Sequence, residues 1–137
     1  FDPFAKNLPA YIESVDLATL WRESDALSLH CPLTDDNRQL INATTLAQCK
    51  RGVILVNTAR GGLVDEPALL AAVQSGQVSM AALDSFAVEP FTAPHIFQGE
   101  ARILLSPHIG GVTSDAYVNM GVAAAKNTVA ALQTATA

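Results

Sequence analysis

Val53-Ile54-Leu55-Val56-Asn57-Thr58-Ala59-Arg60-Gly61-Gly62-Leu63-Val64-Asp65-Glu66-Pro67 is the stretch from which the rest of the chain can be read. Its first four residues are apolar and mostly β-branched, which predicts a buried strand. A polar turn with paired glycines follows, and Asp65 then caps a helix that carries Pro67 in its first turn. This is one strand-turn-helix unit. The same alternation recurs on both sides: Ala26-Leu27-Ser28-Leu29, Met80-Ala81-Ala82-Leu83 and Arg102-Ile103-Leu104-Leu105 are short apolar runs bounded by polar or glycine residues. Units of this kind build a parallel sheet, so the fold class is α/β, with strands expected to be buried on both faces.

Helix starts lie between the strands. Ser14 precedes residues 16–23, and Thr45 with Gln48 three residues later reads as a capping box. The last helix is expected to start near Thr113 or Ser114. It carries Val118, Val122, Ala125, Val129 and Leu132 at helical spacing, an apolar stripe that should dock on an apolar surface. Neither an internal repeat nor a Ser- or Gly-rich linker interrupts the pattern.

Composition excludes several function classes. Of 137 residues, 50% are hydrophobic and 15% charged, which is not the balance of a disordered chain. A chain of this length buries roughly two thirds of its unfolded surface, enough to fold but small for a two-substrate enzyme. Eight basic against 13 acidic residues give a net charge of −5 without a basic cluster, so nucleic acid is not an expected partner. Cys31 and Cys49 are too few for a disulfide framework and fit a reducing cytoplasm. With His30 and His95 they lack the compact spacing of a metal site, so no metal is expected, and His95 reads as a surface or loop residue. Phe1-Asp2-Pro3-Phe4 does not resemble a signal peptide, and no apolar run reaches the ~18 residues of a membrane span. A cytoplasmic protein with no membrane partner is expected. Asn42-Ala43-Thr44 matches a glycosylation sequon, which carries little weight without a secretory signal.

In an open parallel sheet, ligands bind beyond the carboxyl ends of the strands. The residues there are polar: His30-Cys31-Pro32-Leu33-Thr34, Asn57-Thr58-Ala59-Arg60, Asp84, and Ser106-Pro107-His108. Taken singly, each such residue is more often a cap or a solvated turn residue than a catalyst, and Gly61-Gly62 or Gly110-Gly111 can simply serve tight turns. As a set they suit one chemistry. Arg60 offers a planar, permanently charged fork that matches a carboxylate and can polarise an adjacent carbonyl. His108 can exchange a proton with a hydroxyl, and Glu89 is a natural orienter of its ring. A Ser106-His108-Asp115 hydrolase is a poor alternative, because the G-x-S-x-G elbow is absent and two of the three residues are only two apart.

Asn57-Thr58-Ala59-Arg60-Gly61-Gly62-Leu63-Val64-Asp65, Asp84-Ser85-Phe86-Ala87-Val88-Glu89-Pro90 and Ser106-Pro107-His108-Ile109-Gly110-Gly111, in this order, resemble the signature of NAD-dependent D-2-hydroxyacid dehydrogenases. The phosphoglycerate and glyoxylate/hydroxypyruvate reductase branches belong to that family. The resemblance implies a Rossmann-like parallel sheet with flanking helices. Residues 1–112 would be the C-terminal part of its NAD-binding domain, and residues 113–137 a closing helix returning towards a substrate domain. It also implies that Arg60 anchors the carboxylate of a 2-hydroxy or 2-oxo acid, that His108 is the acid/base and that Glu89 is its partner. The NAD contacts it implies are Asp2, His30, Cys31, Pro32, Thr58, Ala59, Arg60, Asp84, His108 and Gly110. At Asp2, a carboxylate on the adenosine ribose would favour NAD over NADP.

Departures from the family pattern are informative. The G-x-G-x-x-G turn that would seat the pyrophosphate is not in this sequence, which implies that it is the C-terminal part of a longer polypeptide. Ser85 and Ala87 stand where the family commonly has bulkier residues. Two alternatives to the enzyme are an NAD(H)-sensing, corepressor-like binding protein and an inactive truncated fragment. A homodimer is the family-level expectation, supported by the apolar surface that part of a fold leaves uncovered.

Overall fold

The computed structural model describes residues 1–90 and 94–135. The chain forms two compact units, Phe1–Pro107 and His108–Ala137. The first has an α/β, Rossmann-like architecture: α1 (Leu17–Glu23), β1 (Ala26–Leu29), α2 (Ala43–Gln48), β2 (Val53–Asn57), a 3-10 turn (Gly61–Leu63), α3 (Glu66–Ser75), β3 (Val78–Leu83) and β4 (Ile103–Leu105). The second contains α4 (Ser114–Ala135). No helix among the described residues is long and apolar enough to cross a membrane.

The four strands lie in the order β1-β2-β3-β4, and every pair is parallel. Register sets the level of the strand ends. Leu29 pairs with Asn57, Asn57 with Leu83, and Leu83 with Leu105, so the four carboxyl ends line up along one edge. A register shift at Val53/Ile54 takes up the extra residue of β3 near the opposite end.

One sequence expectation is corrected here: the strands are buried on one face, not on both. Side chains alternate, with Leu27, Leu29, Val53, Leu55, Ala81, Leu83 and Ile103 buried, whereas Ile54, Met80 and Leu104 are 41%, 52% and 69% exposed. The cause is topological. Strands added successively in one direction, joined by right-handed crossovers, place their helices on the same side of the sheet. Here α3 packs on β3, α2 on α3, and α1 on α2. The core therefore lies between one sheet face and one helical layer, with Ile41, Leu46, Leu55, Leu63, Leu69, Val73, Val78 and Phe97 at its centre.

Helix boundaries follow local polar chemistry. α3 starts as read, with the Asp65 carboxylate accepting the Ala68 N–H at 3.1 Å and Pro67 in the first turn. It ends at Gly76, whose φ of 75° suits a residue without Cβ. α1 is capped by Asp16 rather than by Ser14. The Asp16 carboxylate accepts the Thr19 N–H at 2.7 Å, and this bond holds its pKa below the usual carboxylate value. At α2 the expected box on Thr45 and Gln48 is displaced by one turn. Asn42 is the cap, taking the Thr44 and Thr45 N–H groups at 2.9 and 3.1 Å, while the Thr45 hydroxyl accepts the Asn42 N–H at 2.9 Å. Asn42 wins because Ile41 is pinned by a parallel bridge to Val64, which leaves the next residue extended at the mouth of the helix. Loss of such a cap costs about 1 kcal/mol. Asn42→Ala should therefore lower the unfolding free energy by about that amount in urea melts, whereas Gln48→Ala should change it by less than about 0.5 kcal/mol.

In the second unit Thr113 accepts the Ala116 N–H at 3.0 Å and opens α4. Of its apolar stripe, Val118, Val122, Val129 and Leu132 are between 46% and 63% exposed.

Candidate active site

The aligned strand ends place His30, Thr58, Asp84 and Ser106 at one level, each directly after its strand. Asn57 and Asp84 join the two central turns: the Asp84 N–H donates to the Asn57 carbonyl at 2.9 Å, extending the sheet by one bond. The Asn57 side chain is fully buried. Its amide donates to the Arg60 carbonyl at 2.9 Å and accepts the Ala59 N–H at 3.0 Å, so both ends of the Thr58-Ala59-Arg60 turn are tied to one residue. A buried amide satisfied in this way rigidifies a turn, because leaving either group unpaired costs about 1–3 kcal/mol.

Gly61 begins the 3-10 turn under the next loop. A Cβ placed there would lie 1.8 Å from the Phe86 carbonyl carbon and 2.4 Å from the Ala87 nitrogen, so only glycine admits this approach of two backbones. The β2 and β3 loops are thereby pressed together, with Arg60 on one and Asp84 to Glu89 on the other. Arg60 is exposed, and one guanidinium nitrogen donates to the Ala59 carbonyl at 2.6 Å. Asp84 is 6% exposed, and its carboxylate accepts the Ser106 hydroxyl. Thr58, Asp84 and Ser106, with Ala82, Leu83 and Leu104, line a shallow depression at this edge.

At the end of β1, the His30 ring is hydrogen-bonded to the Ser28 hydroxyl at 2.8 Å. The loop that follows is held by Asn37, which donates to the Pro32 carbonyl at 2.8 Å and accepts the Thr34 N–H at 2.8 Å. Cys31 is half-buried. Cys49 is buried away in the core, where burial pushes its thiol pKa up. Among the described residues no group of three His, Cys, Asp or Glu side chains could hold a metal ion. Asp2 is exposed, and its carboxylate accepts the Phe4 N–H at 2.8 Å.

Glu89 is exposed, and its carboxylate accepts the Phe86 N–H of its own loop at 2.9 Å. His95 lies in a loop, the second of the two expected settings, and its side chain is only 14% exposed, packed against Phe86 and Phe97 and 3.4 Å from the Glu66 carboxylate. His108 and Gly110 belong to the second unit. His108 has a φ of 54°, the left-handed region that few non-glycine residues occupy and that recurs at functional positions.

Sequence reasoning missed three residues of this edge as organisers. Asn37, Asn57 and Glu66 all act on backbone groups. For Asn57 a signal was present, since a polar residue ending an otherwise apolar strand is unusual.

Residues 1–110 match the family described as D-isomer specific 2-hydroxyacid dehydrogenase, NAD binding domain, and the chain belongs to that family. Among the relatives, the hydroxypyruvate reductase of Thermotoga maritima is 44% identical over 124 residues, covering 89% of this chain and 40% of that protein. The chain likewise spans 38% of the glyoxylate reductase of Aeropyrum pernix, so it represents about two fifths of the length of these curated relatives. Among solved structures, a glyoxylate reductase from Paecilomyes thermophila superimposes with a TM-score of 0.73 at 39% identity, over 79% of this chain and 33% of that one. A D-isomer specific 2-hydroxyacid dehydrogenase from Xanthobacter autotrophicus Py2, in complex with NADPH and MES, has a TM-score of 0.67 at 37% identity, over 71% of this chain and 32% of that one.

The Gly61 contact yields a direct test. Gly61→Ala must push the Phe86–Ala87 backbone away, and overpacking of this kind costs about 1–3 kcal/mol. Gly111→Ala, where nothing lies within 4 Å of the new Cβ, should leave the melting temperature unchanged in the same thermal scan.

Proposed function

We propose that this chain is the part of a D-2-hydroxyacid dehydrogenase that holds the nicotinamide end of NAD and anchors a 2-hydroxy or 2-oxo acid. The observation that carries the reading is the alignment of four strand ends in a chain of the NAD-binding family, with exposed Arg60 and buried Asp84 on adjoining loops.

The residues present fit that cofactor. Thr58, Ala59 and Arg60 form a turn rigid enough to face a ribose, and Asp84 supplies an acceptor for the carboxamide from the shallow depression beside Ser106. His30, Cys31 and Pro32, on the loop after β1, and Gly110 would add further contacts with the cofactor. Asp2 would take the adenosine ribose hydroxyls and favour NAD over NADP. When bound, the dinucleotide supplies or accepts the hydride.

The chain's own residues supply binding and proton transfer. Arg60 holds the substrate carboxylate bidentately and draws electron density from the neighbouring carbonyl. In oxidation His108 accepts the hydroxyl proton, and in reduction it returns one to the carbonyl oxygen. Glu89 orients the imidazole and stabilises its protonated form, as a carboxylate partner does.

The same reading divides the chain at residues 112 and 113, into the C-terminal part of the nucleotide domain and the helix that returns to a substrate domain. It places the enzyme in the cytoplasm as a homodimer. The uncovered apolar side chains of α4 and of the open sheet face are the surfaces that further domain and second copy would cover.

In the full-length protein assayed with NADH and a panel of 2-oxo acids, His108→Asn should lower kcat by about 10²–10⁴-fold, with the dissociation constant for NADH changed less than about threefold. Arg60→Lys should chiefly raise the KM for the oxo acid, since a point charge replaces a fork. Undiminished turnover by His108→Asn would refute the assignment. NADH-dependent self-association without turnover on any 2-oxo acid would point instead to a nucleotide-sensing binding protein.

A further inference from the structure

The loop from Asp84 to Glu89 is gripped by two carboxylates on adjacent amides. The Phe86 N–H donates to Glu89, three residues along the same loop, at 2.9 Å. The Ala87 N–H donates at 2.8 Å to Oε1 of Glu66, 21 residues away in the first turn of α3. The other Glu66 oxygen, Oε2, lies 3.4 Å from Nε2 of His95, and both side chains are only 14% exposed.

His95 is itself oriented. The Phe97 N–H lies 3.4 Å from its Nδ1, which makes Nδ1 the acceptor and leaves Nε2 to carry the proton towards Glu66. Phe86 meets the ring edge-on at 5.4 Å, and Phe97, 1% exposed in the core, packs on it at 5.1 Å. A continuous set of contacts thus runs from core Phe97 through His95 and Glu66 to Ala87, next to the residue that binds Glu89. Gly61 closes the loop from the other side.

A carboxylate fixed in this way is well placed at the start of a helix, where the unpaired N–H groups favour negative charge. Its contact partner is a backbone group of a loop on the functional edge. We propose that Glu66 and His95 are positioning residues for Glu89, a latch that holds the 84–89 loop, and with it the orienting carboxylate, in one geometry. This rests on the assignment of Glu89 as the partner of the acid/base. Neither residue need touch substrate or cofactor.

The test uses the full-length enzyme and two readouts. Hydrogen exchange comes first, because it does not depend on turnover: Glu66→Ala should speed exchange at the Phe86 and Ala87 amides at least tenfold, with the amides of β2 and β3 unaffected. In kinetics, Glu66→Ala should lower kcat about tenfold or more with the KM for NADH unchanged, and Glu66→Gln, which keeps one acceptor for Ala87, should recover part of the loss. In a Glu89→Gln background the same Glu66→Ala change should add less than about twofold, since residues acting through one another are not additive. Unaltered exchange at residues 86 and 87 overturns the latch itself. Faster exchange with a fully additive kinetic loss, or with Glu89→Gln at wild-type turnover, overturns its link to catalysis, and the latter result also removes Glu89 from the proposed mechanism.

Discussion

Two backbones meet at Gly61 at a distance no side chain would allow, and the loops after β2 and β3 are held together by that meeting. Buried Asn57 holds the turn that carries Arg60 by bonding its polar groups from within. The loop after β3 presses on that turn only because position 61 lacks a Cβ. Pairing of Leu83 with Leu105 sets Asp84 beside Ser106 at the end of β4, where the carboxylate accepts the hydroxyl. Loops that carry chemistry are usually the least constrained parts of a fold. The loops after β2 and β3 are instead tied to the scaffold by Asn57 and by Glu66, as a site that holds groups in fixed geometry requires.

Much of the architecture was legible in the sequence, since parallel strands with one covered face still read as short apolar runs. The run Ala26–Leu29 forms the strand read from it, and Asp65 caps α3 as its position ahead of Pro67 suggests. What could not be read was which face the helices would cover. Apolar residues such as Ile54, Met80 and Leu104 fit a buried strand equally well, and only the direction in which successive strands are added shows that one side of this unit stays open.

At the start of α2 the sequence pattern is ambiguous and a tertiary contact decides it. Thr45 with Gln48 and Asn42 with Thr45 are overlapping capping patterns one turn apart. The choice is made by a tertiary bridge, Ile41 to Val64, that no window of ten residues contains. The candidate site divides in the same way. Arg60 and Asp84 stand out because they directly follow predicted strands. Asn57, Glu66 and His95 organise the edge through contacts with backbone or with distant partners, and the Glu66 to Ala87 bond spans 21 residues. His95 reads as a surface or loop residue, because its burial between Phe86 and Phe97 depends on how the loop folds back onto the core.

The proposed function makes the strand-end edge the surface that meets the nicotinamide half of a dinucleotide. The most direct measurement is hydrogen exchange on the full-length protein with and without NADH. Bound NADH should slow exchange in peptides covering residues 57–62 and 84–89, with peptides from α1 and α2 on the helical face unchanged. Protection confined to the helical face, or none at the strand ends under saturating NADH, would contradict it.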